Sequence, residues 1–275
     1  MNISSQKKAF QYLGAKFSVL PWLLPMLPKT YCFVDVFGGS MAVLLNRPPC
    51  NIDTYNDVDK NVVNFFKVLR EQPETIIKAL ELTPHSRLEY ENAIITSDDD
   101  EIERARKFFV RTVQSQFSAG NMENKKGWRA AISESRTGIS EATSKYLNSV
   151  SGLFEIVDRL RGVQIENRDF RWIFDKYNNE NTLLYLDPPY YGTHRSTTKY
   201  LHEMTDQDYI DLGELTKTSK SKVAVSGYSC DFIDGVFSHL KKHVGPVRKN
   251  GLSIEVVREC LWTNYDIEHR QKQLF

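Results

Sequence analysis

A nine-residue stretch restricts this chain more than any other: Thr182-Leu183-Leu184-Tyr185-Leu186 runs directly into Asp187-Pro188-Pro189-Tyr190. A short apolar run of this kind suits a central strand buried on both faces. The two prolines forbid its continuation, because neither can donate a ladder hydrogen bond. The polar atoms therefore sit at a strand's carboxyl end, the rim at which open α/β sheets bind ligands.

The chemistry available at that rim is specific. Pro188 and Pro189 carry no backbone N–H, so carbonyls near the turn can point outward as acceptors beside the Asp187 carboxylate. Two neighbouring acceptors suit an amino group that offers two N–H donors. Tyr190 adds a flat face on which a planar heterocycle can stack. The four residues together describe a clamp for an exocyclic amine on an aromatic base. They are equally compatible with a plain turn, since Pro and Asp are common turn formers, and the rest of the chain has to decide.

Other rim-like segments precede and follow it. Lys16, close to Tyr12, is either a solvated surface lysine or one that reaches a carboxylate in a ligand site. Residues 31–46 read as strand, glycine turn and helix, with Asp35, Phe37, Gly38, Gly39 and Ser40 at the turn. Glycines allow close backbone approach to a ligand, and this turn is neither a dinucleotide fingerprint nor a phosphate loop. Residues 52–57 suggest a second strand and 58–71 a helix, which sets Asp57 where an acidic side chain holds a ribose. Asn56 or Asp57 can instead cap that helix. A further strand at 162–167 ends near Asp169 and Phe170, a place for a second heterocycle. Residues 191–200, with Arg195 and Lys199, read as a loop beside the clamp, and Thr205 to Asp208 as a capping box. A strand at 222–226 follows. Asn250-Gly251 then predicts a closing hairpin between 241–249 and 252–263.

From 73 to 148 helical spacing dominates and strand signals vanish. Between Glu101 and Arg136 eight basic residues, among them Arg111, Lys125, Lys126, Arg129 and Arg136, stand against four acidic ones. Phe108, Phe109, Gln114, Gln116 and Trp128 are interleaved with them, types that can contact phosphates, base edges and rings. A solvated helix face is the ordinary alternative. The whole chain carries a net charge of only +1, so any attraction to nucleic acid has to come from such local clustering. Four widely spaced cysteines without a metal-ligand pattern, a polar N-terminus and no bilayer-length apolar segment suggest a reduced cytoplasmic setting, with no membrane and no metal.

The order of these segments resembles the S-adenosylmethionine-dependent DNA adenine-N6 methyltransferases of the Dam-like D12 class. Tyr12 to Lys16 is similar to the family's N-terminal cofactor motif, Phe33 to Ser40 to its glycine motif and Asn56-Asp57 to its ribose-binding acid. Glu166 to Phe170, Tyr200 to Asp208, Ser226 to Tyr228 and Glu259 to Asn264 are similar to its phage and prophage members in particular. The resemblance implies an α/β fold: a Rossmann-like methyltransferase sheet, mostly parallel with a C-terminal antiparallel hairpin, built from 1–72 and 149–275. It also implies a helical target-recognition insertion at 73–148. S-adenosylmethionine would lie across the rim, with Tyr12 and Lys16 at its methionine end beside Asp35, Phe37, Gly38, Gly39 and Ser40. Asp57 would hold the ribose, Asp169 and Phe170 the adenine, and Asp187 would face both reactants. Double-stranded DNA would be the partner, touched by Arg111, Lys125, Lys126, Arg129, Arg136, Arg195 and Lys199, and the protein would be bacterial or phage-encoded, its oligomeric state open. Cytosine-N4 transfer, for which the same clamp serves, and a non-catalytic DNA-binding protein remain open alternatives at this point.

Overall fold

The computed structural model describes residues 6–10, 16–116, 127–192, 203–249 and 256–267. Its sheet contains β1 (Cys32–Asp35), β2 (Ile52–Asn56), β3 (Val163–Glu166), β4 (Thr182–Leu186), β5 (Lys222–Tyr228), β6 (Lys241–Lys249) and β7 (Val256–Thr263). The spatial order is β3-β2-β1-β4-β5-β7-β6. The first five are parallel, and β7 runs antiparallel to both of its neighbours. Strand order reverses between β1 and β4, so the crevice of this doubly wound sheet opens at the carboxyl ends of those two strands.

Alternation along each strand explains the layers. Phe33 on β1 and Leu183 and Tyr185 on β4 face one core, with the helices Lys60–Glu71 and Phe154–Arg161. Val34, Leu184 and Leu186 face the other, with the helices Phe170–Tyr177 and Asp206–Lys217. Every residue of β4 is buried, as its unbroken apolar run requires. Each large apolar side chain enclosed in this way contributes about 1.5–3 kcal/mol relative to exposure.

Local signals set the element ends. Thr205 and Asp208 form the expected reciprocal capping box at the helix Asp206–Lys217. The cap of the helix Lys60–Glu71 is Asp59, whose carboxylate accepts from Asn61, and neither Asn56 nor Asp57. The closing antiparallel pair joins Lys249, at the end of β6, to Val256, at the start of β7. Asn250-Gly251 lies outside the described residues. The register of that pair shifts between Val244 and Val247, where Pro246 cannot donate to the ladder.

Residues 73–148 supply the helices Pro73–Leu82, Arg87–Asn92 and Glu101–Val113 and the start of Glu141–Ser151, so position 148 falls inside a helix. They share the core of the sheet: Phe108 and Phe109 pack on Phe65, and Phe108 also on Phe10. These two phenylalanines are therefore core residues and not contacts for bases. The charge cluster is also partly neutralised within residues 73–148, where Arg106 pairs with Glu89 and Glu103, and Lys107 with Asp99.

Arg111 corrects the expected DNA surface outright. Its side chain is fully buried; the guanidinium lies 4.0 Å from the Tyr90 ring centroid and donates to the Tyr90 carbonyl. Helical spacing places it on the apolar face with Phe108 rather than on the outer face. Arg111→Ala is expected to lower stability by about 2–5 kcal/mol through the cavity and the lost bond. Salt titrations of DNA binding by the folded variant should keep the wild-type slope, because no phosphate contact is removed.

Candidate active site

The site begins with the glycine turn after β1. Gly38 donates to the Asn56 carbonyl and Gly39 to the Asp57 carboxylate, while the Tyr55 hydroxyl donates to the Gly39 carbonyl. Gly39 and Met41 both have positive φ, at 47° and 59°. A Cβ on Gly38 would overlap the Tyr55 ring, so only glycine lets β1 turn this tightly over β2. Gly38→Ala is expected to cost about 1–3 kcal/mol of stability, read by denaturant unfolding. Asn56, one of two candidate helix caps, instead stitches the rim: its amide donates to the Val36 and Arg168 carbonyls and accepts from the Arg168 N–H.

One cavity of about 220 Å³ spans the tips of β1, β2 and β4. Lys16, Asp35, Phe37, Gly38, Gly39, Ser40, Asp57, Asp169, Phe170, Asp187, Pro188 and Pro189 all line it. Seven acidic side chains face it (Asp35, Asp57, Asp59, Asp169, Asp187, Glu203 and Asp208) against two cations, Lys16 and Arg168. That charge suits a cationic ligand and repels a phosphate-bearing one. Asp35 is buried; burial, then Asp187 and Asp57, push its carboxyl up to about 8. Asp169 caps the helix Phe170–Tyr177 through the Arg171 N–H, and Phe170 is largely buried against Phe37.

The clamp residues meet a group from each end of the chain. The Asp187 Oδ1 accepts from the Lys16 ammonium at 2.6 Å and from Ser226 at 3.1 Å. Lys16, only 2% exposed, also lies 3.0 Å from the Glu259 carboxylate and donates to the Tyr190 hydroxyl. Tyr190 in turn donates to Glu259 at 3.0 Å. Burial alone would lower the Lys16 pKa, but Asp187 and Glu259 outweigh it and hold the ammonium above the usual lysine range. Burial pushes the Asp187 carboxyl up to about 6, with Lys16 opposing and Glu259 adding to the rise. Of the two proline carbonyls, Pro189 accepts the Tyr209 hydroxyl.

Tyr190 is not an open platform in this structure. Its ring is buried, with the Tyr228 centroid 4.2 Å away and the Lys16 ammonium 4.4 Å from its own centroid. The space beside it, bounded by Pro188, Tyr190, Tyr191 and Tyr228, amounts to about 10 Å³.

Among the expected DNA contacts, Arg136 is exposed and Arg129 is half-buried, donating to the Gln116 carbonyl. Gln114 is buried and anchors Ser86, Pro84 and Trp128. Tyr12, Lys125, Lys126, Arg195 and Lys199 lie outside the described residues. Sequence reading missed Glu259 and Ser226 as members of the site. Both lie in segments similar to the family's, Ser226 to Tyr228 and Glu259 to Asn264, and Glu259 is also an ionisable group in a strand otherwise suited to burial.

Comparison with known proteins shows the family. The sequence model of the D12 class N6 adenine-specific DNA methyltransferases matches residues 12–249. The chain is 25% identical over 286 aligned residues to the type II methyltransferase M1.LlaDCHI of Lactococcus lactis subsp. cremoris, covering 93% of this chain and 94% of that one. It is 24% identical over 201 residues to the modification methylase LlaI of Lactococcus lactis subsp. lactis, covering 70% of this chain but 31% of that longer protein. A solved structure, a putative methyltransferase yhhF from Escherichia coli, aligns at 10% identity and a TM-score of 0.33 over 90% of this chain and 83% of that one. That superposition is too loose to carry an argument, and the strand order above defines the fold. No helix among the described residues is long and apolar enough to cross a membrane.

Proposed function

Because this chain belongs to the D12 class of N6 adenine-specific DNA methyltransferases, we propose that it takes its methyl group from S-adenosylmethionine in the acidic cavity and delivers it to an adenine flipped out of double-stranded DNA. Methyl transfer to adenine N6 at a specific DNA site is the family's activity. By likeness to the modification methylases, the enzyme is the modifying partner of a restriction system, at work in the cytoplasm where DNA is accessible.

The observation that carries this reading is a single cavity shared by the glycine turn, Asp57 and the Asp187-Pro188-Pro189 corner. The residues fit the donor. The close approach that Gly38 permits and the excess of carboxylates suit a ligand bearing a sulfonium and an ammonium and no phosphate. When bound, S-adenosylmethionine supplies an electrophilic methyl group. Asp57 and the Gly39 turn would hold the ribose, Phe170 and Asp169 the adenine ring, and Asp35 and Lys16 would border the methionine end.

The remaining work belongs to this chain's own groups. Flipping a base costs a few kcal/mol of stacking and pairing. Stacking on Tyr190 returns about 1–3 kcal/mol of it, once Tyr228 has swung aside to widen the slot. Asp187 and the Pro188 carbonyl accept the two N6 hydrogens and draw the nitrogen lone pair out of the ring. No covalent enzyme intermediate is needed. The insertion would read the target: Arg129 and Arg136, with Lys125 and Lys126 on sequence grounds, would contact phosphates, as would Arg195 and Lys199 beside the clamp.

Nucleoside analysis of DNA incubated with the protein and labelled S-adenosylmethionine tests the reading. N6-methyladenine is the expected product. N4-methylcytosine would reassign the clamp to the other amine, and DNA binding without label would leave a non-catalytic binder.

A further inference from the structure

Glu259 stands outside every role assigned so far. It lies on β7, the reversed strand inserted between β5 and β6, directly opposite Tyr228 in the ladder, and it is fully buried. Enclosing an ionised carboxylate costs several kcal/mol, and an apolar residue in its place would pack at less expense. Its contacts explain what it is there for. One oxygen lies 3.0 Å from the Lys16 ammonium, and the Tyr190 hydroxyl donates to its two oxygens at 3.0 and 3.2 Å. Lys16 in turn holds Asp187 at 2.6 Å. Glu259 is thus bonded at once to the cation that orients the proposed amine acceptor and to the ring on which the base would stack.

We infer that Glu259 is a positioning residue for methyl transfer: from the antiparallel strand it fixes Lys16 and Tyr190 together, and so sets the spacing between the Asp187 acceptor and the stacking ring. The inference rests on the clamp reading of Asp187 and Tyr190. Sharing Lys16 between two carboxylates also leaves Asp187 incompletely neutralised, so that it stays a strong acceptor for an incoming amine. The groups that bear on Asp187 are Lys16 from the N-terminal segment, Asp35 from β1, Tyr185 from β4, Ser226 from β5 and Glu259 from β7. Glu259 raises the Asp187 carboxyl, so removing its charge lowers the pH at which Asp187 becomes protonated.

The test measures turnover on duplex DNA between pH 5 and 9 for the full chain and for Glu259→Gln and Glu259→Asp, with unfolding midpoints alongside. Glu259→Gln is expected to lower kcat about 10- to 100-fold, the effect of a small misplacement of reacting groups. It should also move the acid limb of the profile down by about one pH unit. Glu259→Asp keeps the charge but shortens the arm, so its limb should stay at the wild-type position while kcat still falls. Equal limbs in the two variants, or wild-type kcat in either, would overturn the role. If Glu259→Gln does not fold, kcat of Glu259→Asp decides alone. Failure of the clamp itself is separable: an active Asp187→Ala removes the basis of both readings, whereas an inactive Asp187→Ala beside a fully active Glu259→Gln removes only this one.

Discussion

Asp187→Ala is expected to reduce methyl transfer to adenine about a thousandfold or more while the protein stays folded. Oδ1 of Asp187 is already committed to Lys16 and Ser226. The carboxylate therefore arrives at the cavity with a fixed orientation and with Oδ2 to offer to an N6 hydrogen. Removing one preorganised electrostatic partner at a reacting centre typically costs 10²–10³ in rate. Here the amine would also lose its placement, which adds to the loss. Folding should survive, because Lys16 keeps Glu259 at 3.0 Å, and because Asp187, held up at about 6, carries a burial cost that disappears with it. Asp187→Asn preserves the shape and should be nearly as inactive, since its amide cannot neutralise Lys16. Single-turnover incorporation of labelled methyl, with circular dichroism as the check on folding, measures both variants. Turnover near the wild-type rate in either would remove the clamp as the catalytic feature.

Lys16→Met is expected to cost about 3–5 kcal/mol of stability at pH 7.5, the usual consequence of deleting one partner from a buried ionic cluster. Asp187 and Glu259 would lose the ammonium that neutralises them while staying enclosed. The sign of the pH dependence follows from Asp187, whose folded pKa of about 6 lies above its unfolded value near 4. A group raised in this way favours the folded state while protonated and withdraws that support as the pH climbs through the interval. Without Lys16 the interval widens upward. The stability deficit of Lys16→Met should therefore shrink as the pH is lowered from 7.5 toward 5. Urea titrations across that range measure it, and a deficit that is constant with pH would show that Lys16 contributes packing and not charge.

The parts of the site that were legible from the chain are those whose meaning is local. The apolar run into Asp187-Pro188-Pro189-Tyr190 could end only at a strand tip, because two adjacent prolines admit no further ladder bonds. Gly38 was legible as a tight turn, though the reason for it, the Tyr55 ring, comes from the next strand. Thr205 and Asp208 cap their helix across three residues and were read correctly. Arg111 follows Arg104, Arg106 and Lys107 in the chain and so reads as part of a basic cluster, whereas in space it is buried with its guanidinium on the Tyr90 ring. Asp59 rather than Asn56 became the helix cap because Asn56 was drawn into the rim by Val36 and Arg168.

Strand ends, turns and caps follow from backbone hydrogen-bonding rules that operate over a few residues, and these are enough to mark a strand tip at Asp187 and an α/β frame. The assembly of Lys16, Asp187, Tyr190 and Glu259 into one buried cluster follows from strand order, above all from the reversed β7 lying beside β5. No periodicity encodes that meeting, because ions enclosed together are selected by the low dielectric around them and by which strands become neighbours, and both exist only once the chain has closed on itself.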